Sequence, residues 1–262
     1  MNAIVPGRAV DKARPLSEGE GRILAMTVTG RLELVAFDAP NIDRIASFYA
    51  ELAGWEIERR ESDWITLKAG DGQEVAFQLA PDHVAPKWPG QERPQQFHID
   101  LQVDDTEAAA ERAVSLGATR LAEGPSWITL TDPAGHPFDL CQKDGVGPRM
   151  QLFAVTIDAP DAAALARFYA DLLGMEVTYD GPEGAFISGE GKSVLFQQVT
   201  GYKPPRWPDP AYPQQAHLDI IVDDLDLGEA RAVQLGASRL NGGGKTFRVF
   251  ADPAGHPFCL TV

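Results

Sequence analysis

The chain has 262 residues, with 38 Asp and Glu against 23 Lys and Arg and a formal net charge of -15. Such a charge repels nucleic acid and anionic membrane surfaces and argues against both as partners. A hydrophobic content of 44% fits a folded soluble protein of two domains, and two cysteines are too few for a disulfide framework, so a reducing cytoplasm is the expected location.

No apolar run approaches the roughly 20 residues that span a bilayer. Residues 1–30 scatter Arg8, Asp11, Lys12, Arg14, Glu18 and Glu20 where a signal peptide needs an apolar stretch. They read as a disordered leader, with Met26 as an alternative start. Leu32 to Asp38 then alternate as a strand does. Asn41 caps a helix carrying Ile42, Ile45, Phe48, Tyr49 and Leu52 at helical spacing, and Gly54 ends it. Three strands are predicted next, over Trp55–Arg60, Asp63–Lys68 and Gln73–Leu79. The order then recurs: a strand over Phe97–Val103, a helix capped by Asp105 and ended by Gly117, and strands near Thr119–Leu121, Trp127–Thr131 and Pro137–Gln142.

The second half repeats the first. FDAPNIDRIASFYAELAGWE from Phe37 returns as IDAPDAAALARFYADLLGME from Ile157, an offset of 120, and PQQFHIDLQVDD from Pro94 returns as PQQAHLDIIVDD from Pro213, an offset of 119. The chain is therefore four β-α-β-β-β units, α+β in class, with Gly145 to Arg149 as linker. Two cup-shaped domains are expected, at 31–143 and 150–262, each with a mixed sheet. The decapeptides DPAGHPFDLC (from Asp132) and DPAGHPFCLT (from Asp252) precede and form the last strand of the second and fourth units. Pro133 and Gly135 suit a turn, so His136 and His256 are expected exposed at its surface.

Strand alternation separates a packed face from a concave one. Phe97, Ile99, Leu101 and Val103 oppose His98, Asp100 and Gln102; Leu218, Ile220 and Val222 oppose His217 and Asp219. Phe138 and Leu140 pack, leaving Asp139 and Cys141; Phe258, Leu260 and Val262 pack, leaving Cys259 and Thr261. Val75, Phe77 and Leu79 pack, leaving Gln78, with Gln197 its equivalent.

Tandem β-α-β-β-β units carrying FYA…LGxE, HxDxxVDD, LGA and DPxGxPFxL resemble the vicinal oxygen chelate superfamily of glyoxalase I, extradiol dioxygenases and bleomycin-resistance proteins. The likeness covers Leu32 to Val262 and is strongest to glyoxalase-like members. It implies sheets curled into cups, helices outside and a small-molecule ligand inside. It also implies metal-ligand positions at Leu34, Gln78, His98 and Asp139 in the first half, and at Ala154, Gln197, His217 and Cys259 in the second. Leu34 and Ala154 cannot bind a metal, and the two glutamines are weak ligands. One divalent ion (Ni, Zn, Mn or Fe) is thus expected at His98 and Asp139 before His217 and Cys259, or no metal at all.

Which units share a cup stays open. Pairing across halves, as in a monomer that imitates a dimer, would set His98 and Asp139 against Ala154 and Gln197, and His217 and Cys259 against Leu34 and Gln78. The His-x-Asp spacing also opens the facial triad of some iron oxygenases, but no histidine follows on a matching strand. Asp100 and Asp219 read otherwise as hydrogen-bond acceptors in a binding site, and His98 or His217 as a metal-free general base.

Two Pro-rich connectors, Ala80–Gln96 and Thr200–Gln215, place Trp88 and Trp207 beside prolines. These tryptophans, with Tyr202 and Tyr212, either close over a ligand or seal an interface. The residues support three functions. One is a metal-assisted lyase, isomerase or dioxygenase acting on a small oxygenated metabolite. Another is a metal-free protein that sequesters an apolar or aromatic compound. The third is a regulatory or scaffold role for a degenerate duplicated cup. The chain is expected to be a monomer or a homodimer.

Overall fold

The structure, a computed structural model, describes residues 30–262 apart from Asp71. The expected leader lies outside these residues except for Gly30, which is buried and donates its N–H to Leu172 O at 2.8 Å. The first unit comprises β1 (Arg31–Ala39), α1 (Ile42–Ala53), β2 (Glu56–Arg60), β3 (Trp64–Gly70) and β4 (Gln73–Leu79). The second comprises β5 (Phe97–Val103), α2 (Thr106–Ser115), β6 (Thr119–Glu123), β7 (Trp127–Thr131) and β8 (Pro137–Gln142). The third comprises β9 (Gln151–Ala159), α3 (Ala162–Leu173), β10 (Glu176–Gly181), β11 (Gly184–Gly189) and β12 (Lys192–Gln198). The fourth comprises β13 (Ala216–Ile221), α4 (Leu225–Leu235), β14 (Ser238–Gly243), β15 (Phe247–Ala251) and β16 (Pro257–Thr261).

Each helix starts where the sequence supplies an acceptor. Asn41, Asp105, Asp161 and Asp224 have extended backbones, and their side chains accept first-turn N–H groups that otherwise lack partners. Helices α1 and α3 end at Gly54 and Gly174, whose φ values of 71° and 67° lie in the left-handed region that glycine enters freely.

Two eight-stranded mixed sheets result, and neither belongs to one half. The first runs β14-β15-β16-β13-β1-β4-β3-β2, and the second runs β10-β11-β12-β9-β5-β8-β7-β6. β1 pairs antiparallel with β13, and β5 with β9. The expectation that residues 31–143 and 150–262 each close their own cup is therefore corrected: units one and four share one sheet, and units two and three the other. Within a half, successive units meet through helices and packed sheet faces. Phe48 and Tyr49 of α1 lie 6.0 and 5.9 Å from Phe138 of β8, and Phe168 and Tyr169 of α3 lie 6.1 and 6.3 Å from Phe258 of β16. These edge-to-face aromatic contacts tie each helix to the last strand of the next unit in the same half.

The predicted packed faces are buried, with two corrections. Leu79 and Val262 end their strands at 37% and 57% exposure and line a cavity instead, because the helix layer does not reach them. The turn histidines are also corrected. His136 and His256 are 2% and 0% exposed. Asp132 accepts the backbone N–H of Ala134 and His136 and lies 3.2 Å from His136 Nδ1; Asp252 repeats this with Ala254 and His256. The turn folds back over its own aspartate, so the imidazole points inward, where Phe37 and Phe97 pack on His136 and His256.

Two unequal cups form the candidate functional site

The first sheet encloses a cavity of about 850 Å³. Pairing across halves brings His217 from β13 and Cys259 from β16 to Leu34 of β1 and Gln78 of β4, the second of the two expected arrangements. His217 is 6% exposed, and its Nε2 lies 3.4 Å from Asp219 Oδ1. Its Nδ1 lies 3.0 Å from Gln214 Nε2, which also donates to Asp38 at 3.1 and 3.2 Å. One amide nitrogen with two hydrogens thus serves both a carboxylate and an imidazole, which places the ring proton on Nε2, toward Asp219. Burial lowers the His217 pKa, but the Asp219 hydrogen bond and charge and the Asp38 charge outweigh it, and the net shift is upward. Burial, reinforced by Asp219, pushes the Cys259 thiol up and away from the thiolate that metals prefer.

The wall of this cup is acidic. Glu33, Glu58, Glu61, Asp63 and Glu74 line it, with Arg59 held by Glu61 at 2.7 Å. Trp64 adds an aromatic surface, its Nε1 donating to Thr66 Oγ1 at 2.9 Å and its ring 6.3 Å from that of His217.

The second cup holds a cavity of about 270 Å³ lined by Trp88, Gln95, His98, Trp127, Asp139 and Gln197, among others. His98 is 5% exposed. Its Nε2 lies 3.6 Å from Asp100 Oδ1 and 3.9 Å from Asp139 Oδ2, both too long for hydrogen bonds, and its Nδ1 has no partner. Donor atoms of these three residues lie within 4.8 Å of one another, as do those of His217, Asp219 and Cys259 in the first cup. Burial lowers the His98 pKa against the pull of Asp139, which favours the neutral imidazole that can ligate a metal. Burial also raises Asp100 to about 7 and Asp139 to about 6; Thr156 opposes the first shift and His98 the second.

The expected site residues are thus divided between two places. Gln78, His217, Asp219 and Cys259 belong to the first cup, and Trp88, His98, Asp139 and Gln197 to the second. Asp100 lies behind His98, buried, with its Oδ2 accepting from Thr156 Oγ1. Trp207 lines neither cavity. Tyr202 seals an interface, its hydroxyl 2.9 Å from Ala254 O and 3.1 Å from His256 Nε2, while Tyr212 stacks under Arg206 at 3.7 Å. Sequence reasoning missed Asp38, Gln214 and Trp64 in the first cup, and Gln95, Thr156 and Asp158 in the second. Gln95 Nε2 donates to Asp158 Oδ1 at 3.1 Å, mirroring Gln214 and Asp38. For Asp38, Asp158, Gln95 and Gln214 the recurrence of DAP and PQQ in both halves was the available signal; Trp64 and Thr156 have no counterpart in the other half and carried none.

The sequence matches the family described as glyoxalase-like domain twice, over residues 34–141 and 154–261. No curated protein sequence matches it. Glyoxalase I from Zea mays shares the fold with a TM-score of 0.63 at 19% identity, covering 89% of this chain and 92% of that one. A candidate dioxygenase from Bacillus subtilis gives a TM-score of 0.60 at 11% identity, covering 90% of this chain and 86% of that one. The cppA protein of Streptococcus pneumoniae gives 0.50 at 14%, with coverages of 88% and 98%. At these identities the likeness is one of fold alone. Among the described residues no helix is long and apolar enough to cross a membrane.

Proposed function

The chain belongs to the glyoxalase-like domain family, and from that premise we propose that its second cup is a metal-assisted active site for a small oxygenated metabolite, of the lyase, isomerase or dioxygenase type. The observation that carries this reading is the setting of His98. Its Nε2 stands 3.6 Å from the buried Asp100 carboxylate and 3.9 Å from the half-buried Asp139 carboxylate that lines the cavity, and hydrogen-bonds to neither. A buried neutral imidazole between two carboxylates of this separation is a donor set suited to a divalent ion, and carboxylate with imidazole suits Mn, Fe, Ni or Zn. His98 and Asp139 would hold it. When bound, such an ion polarises a carbonyl and stabilises negative charge on its oxygen. The chain's own residues supply the rest. Gln197 and Thr129 line the floor beside Asp139, and Trp88 and Trp127 offer indole faces that orient a ligand and exclude water.

A second reading, sequestration without metal, is favoured for the first cup. There His217 is already paired with Gln214 and Asp219, Leu34 fills a ligand position, and the cavity is about three times larger, 850 against 270 Å³. Calorimetric titration of wild type, His98→Ala and His217→Ala with Mn²⁺ and Zn²⁺ tests the division. His98→Ala should lose binding and His217→Ala should keep it. Wild-type affinity in His98→Ala would overturn the assignment of the second cup.

A further inference from the structure

The resemblance implies a ligand at Ala154, which offers no donor atom, and the strand register reveals what stands beside it. β5 and β9 run antiparallel with Asp100 opposite Ala154 and His98 opposite Thr156. Directly opposed residues on an antiparallel pair share a face, with Cβ atoms about 4.5–5.5 Å apart. The Asp100 side chain therefore stands over the space that a longer residue at Ala154 would fill. On its other side β5 pairs in parallel with β8, and there Asp100 is level with Asp139. The Thr156 hydroxyl donates to Asp100 Oδ2, and Oδ1 is the oxygen that faces His98 Nε2 at 3.6 Å.

We propose that Asp100 supplies the donor that Ala154 lacks, so that His98, Asp100 and Asp139, all from the second unit, hold the divalent ion, with Thr156 as the residue that positions Asp100. This rests on the metal-assisted reading of the second cup. The first cup shows why the hydroxyl matters. Asp219 stands opposite Leu34 in the same way, but the residue opposite His217 is Ala36, with no hydroxyl. Asp219 instead clusters with the Cys259 thiol and His217, donor atoms within 4.8 Å of one another, and its Oδ1 lies 3.4 Å from His217 Nε2. The same replacement is present there without the group that turns one carboxylate oxygen away and leaves the other for an ion. The three residues come from two neighbouring strands of one unit, and Gln197 lines the same cavity as His98 and Asp139.

The test follows free Mn²⁺ by electron paramagnetic resonance during titration, with no activity involved. Asp100→Asn keeps the acceptor for Thr156 and should weaken Mn²⁺ binding at least tenfold, alongside His98→Ala and Asp139→Asn. Thr156→Val should weaken it about tenfold, the scale of a lost supporting contact. In the Asp100→Asn background, Ala154→Glu should recover affinity, which a purely structural role for Asp100 would not allow. If His98→Ala abolishes binding while Asp100→Asn and Thr156→Val bind as wild type, the role of Asp100 is overturned and the second-cup reading stands. If wild type itself leaves Mn²⁺ free, both fall.

Discussion

The Tyr49 hydroxyl donates to Asp132 Oδ2 at 3.2 Å across 83 residues, and Tyr169 donates to Asp252 Oδ2 at 3.0 Å across the same separation. Each bond ties the outer helix of one unit to the conserved-in-repeat turn of the next, on an aspartate that also holds two backbone N–H groups and a buried histidine. The FYA and DPAGHP segments are thus two halves of one buried contact. It joins units that share a half but not a sheet.

Removing that hydroxyl should cost stability without changing the cups. Hydrogen bonds to charged groups contribute about 1.5–3 kcal/mol, and the tyrosine rings would stay packed. Tyr49→Phe and Tyr169→Phe are each expected to lower unfolding free energy in urea by about that amount. Tyr212→Phe, on a connector, should shift it by less than about 0.5 kcal/mol. Equal midpoints for all three would show that the buried contact adds nothing.

Asp158 makes stability depend on pH. Burial raises its pKa to about 7, against the Gln95 hydrogen bond and the His256 charge. An acid whose folded pKa exceeds its unfolded value of 3.8 is bound more tightly to its proton in the native state. Its contribution is fully present at acid pH below the unfolded value and is lost as pH rises through about 7. Asp158→Asn keeps an acceptor for Gln95 and never ionises. It should be more stable than wild type at pH 8, with the difference shrinking toward pH 5, as followed by thermal melts in chelator. A wild-type pH profile in the variant would remove Asp158 from the account.

The first cup should select by charge. Five carboxylates on its wall and Asp219 on its floor face one arginine that is already paired. A cationic aromatic dye is expected to bind more tightly than an anionic dye of equal size. The gap should narrow as salt rises from about 0.01 M toward 1 M, where screening shortens from about 30 to 3 Å. Trp64 fluorescence should report the binding, and Trp64→Ala should weaken it several-fold. Tighter binding of the anionic dye would overturn this view of the cavity.

By itself the sequence determined everything that depends on neighbours along the chain. The four units, the caps at Asn41 and Asp105, and the faces that separate Phe97 and Ile99 from His98 and Asp100 follow from periods and turn chemistry that operate over a few residues. Even the failure of Leu34 and Ala154 as ligands was legible, because side-chain chemistry is fixed by identity. Only the tertiary structure decided which units share a cup. β1 and β9 are copies with the same burial pattern, so nothing local tells β5 which of them to join. That choice set Asp100 opposite Ala154 and Gln214 beside Asp38. The burial of His136 and His256 was settled in the same way, since a turn motif fixes its own backbone but not what packs over it. Separation in sequence carries no pairing information between near-identical strands, so the pairing of β5 with β9 and of β1 with β13 is read only from the folded chain.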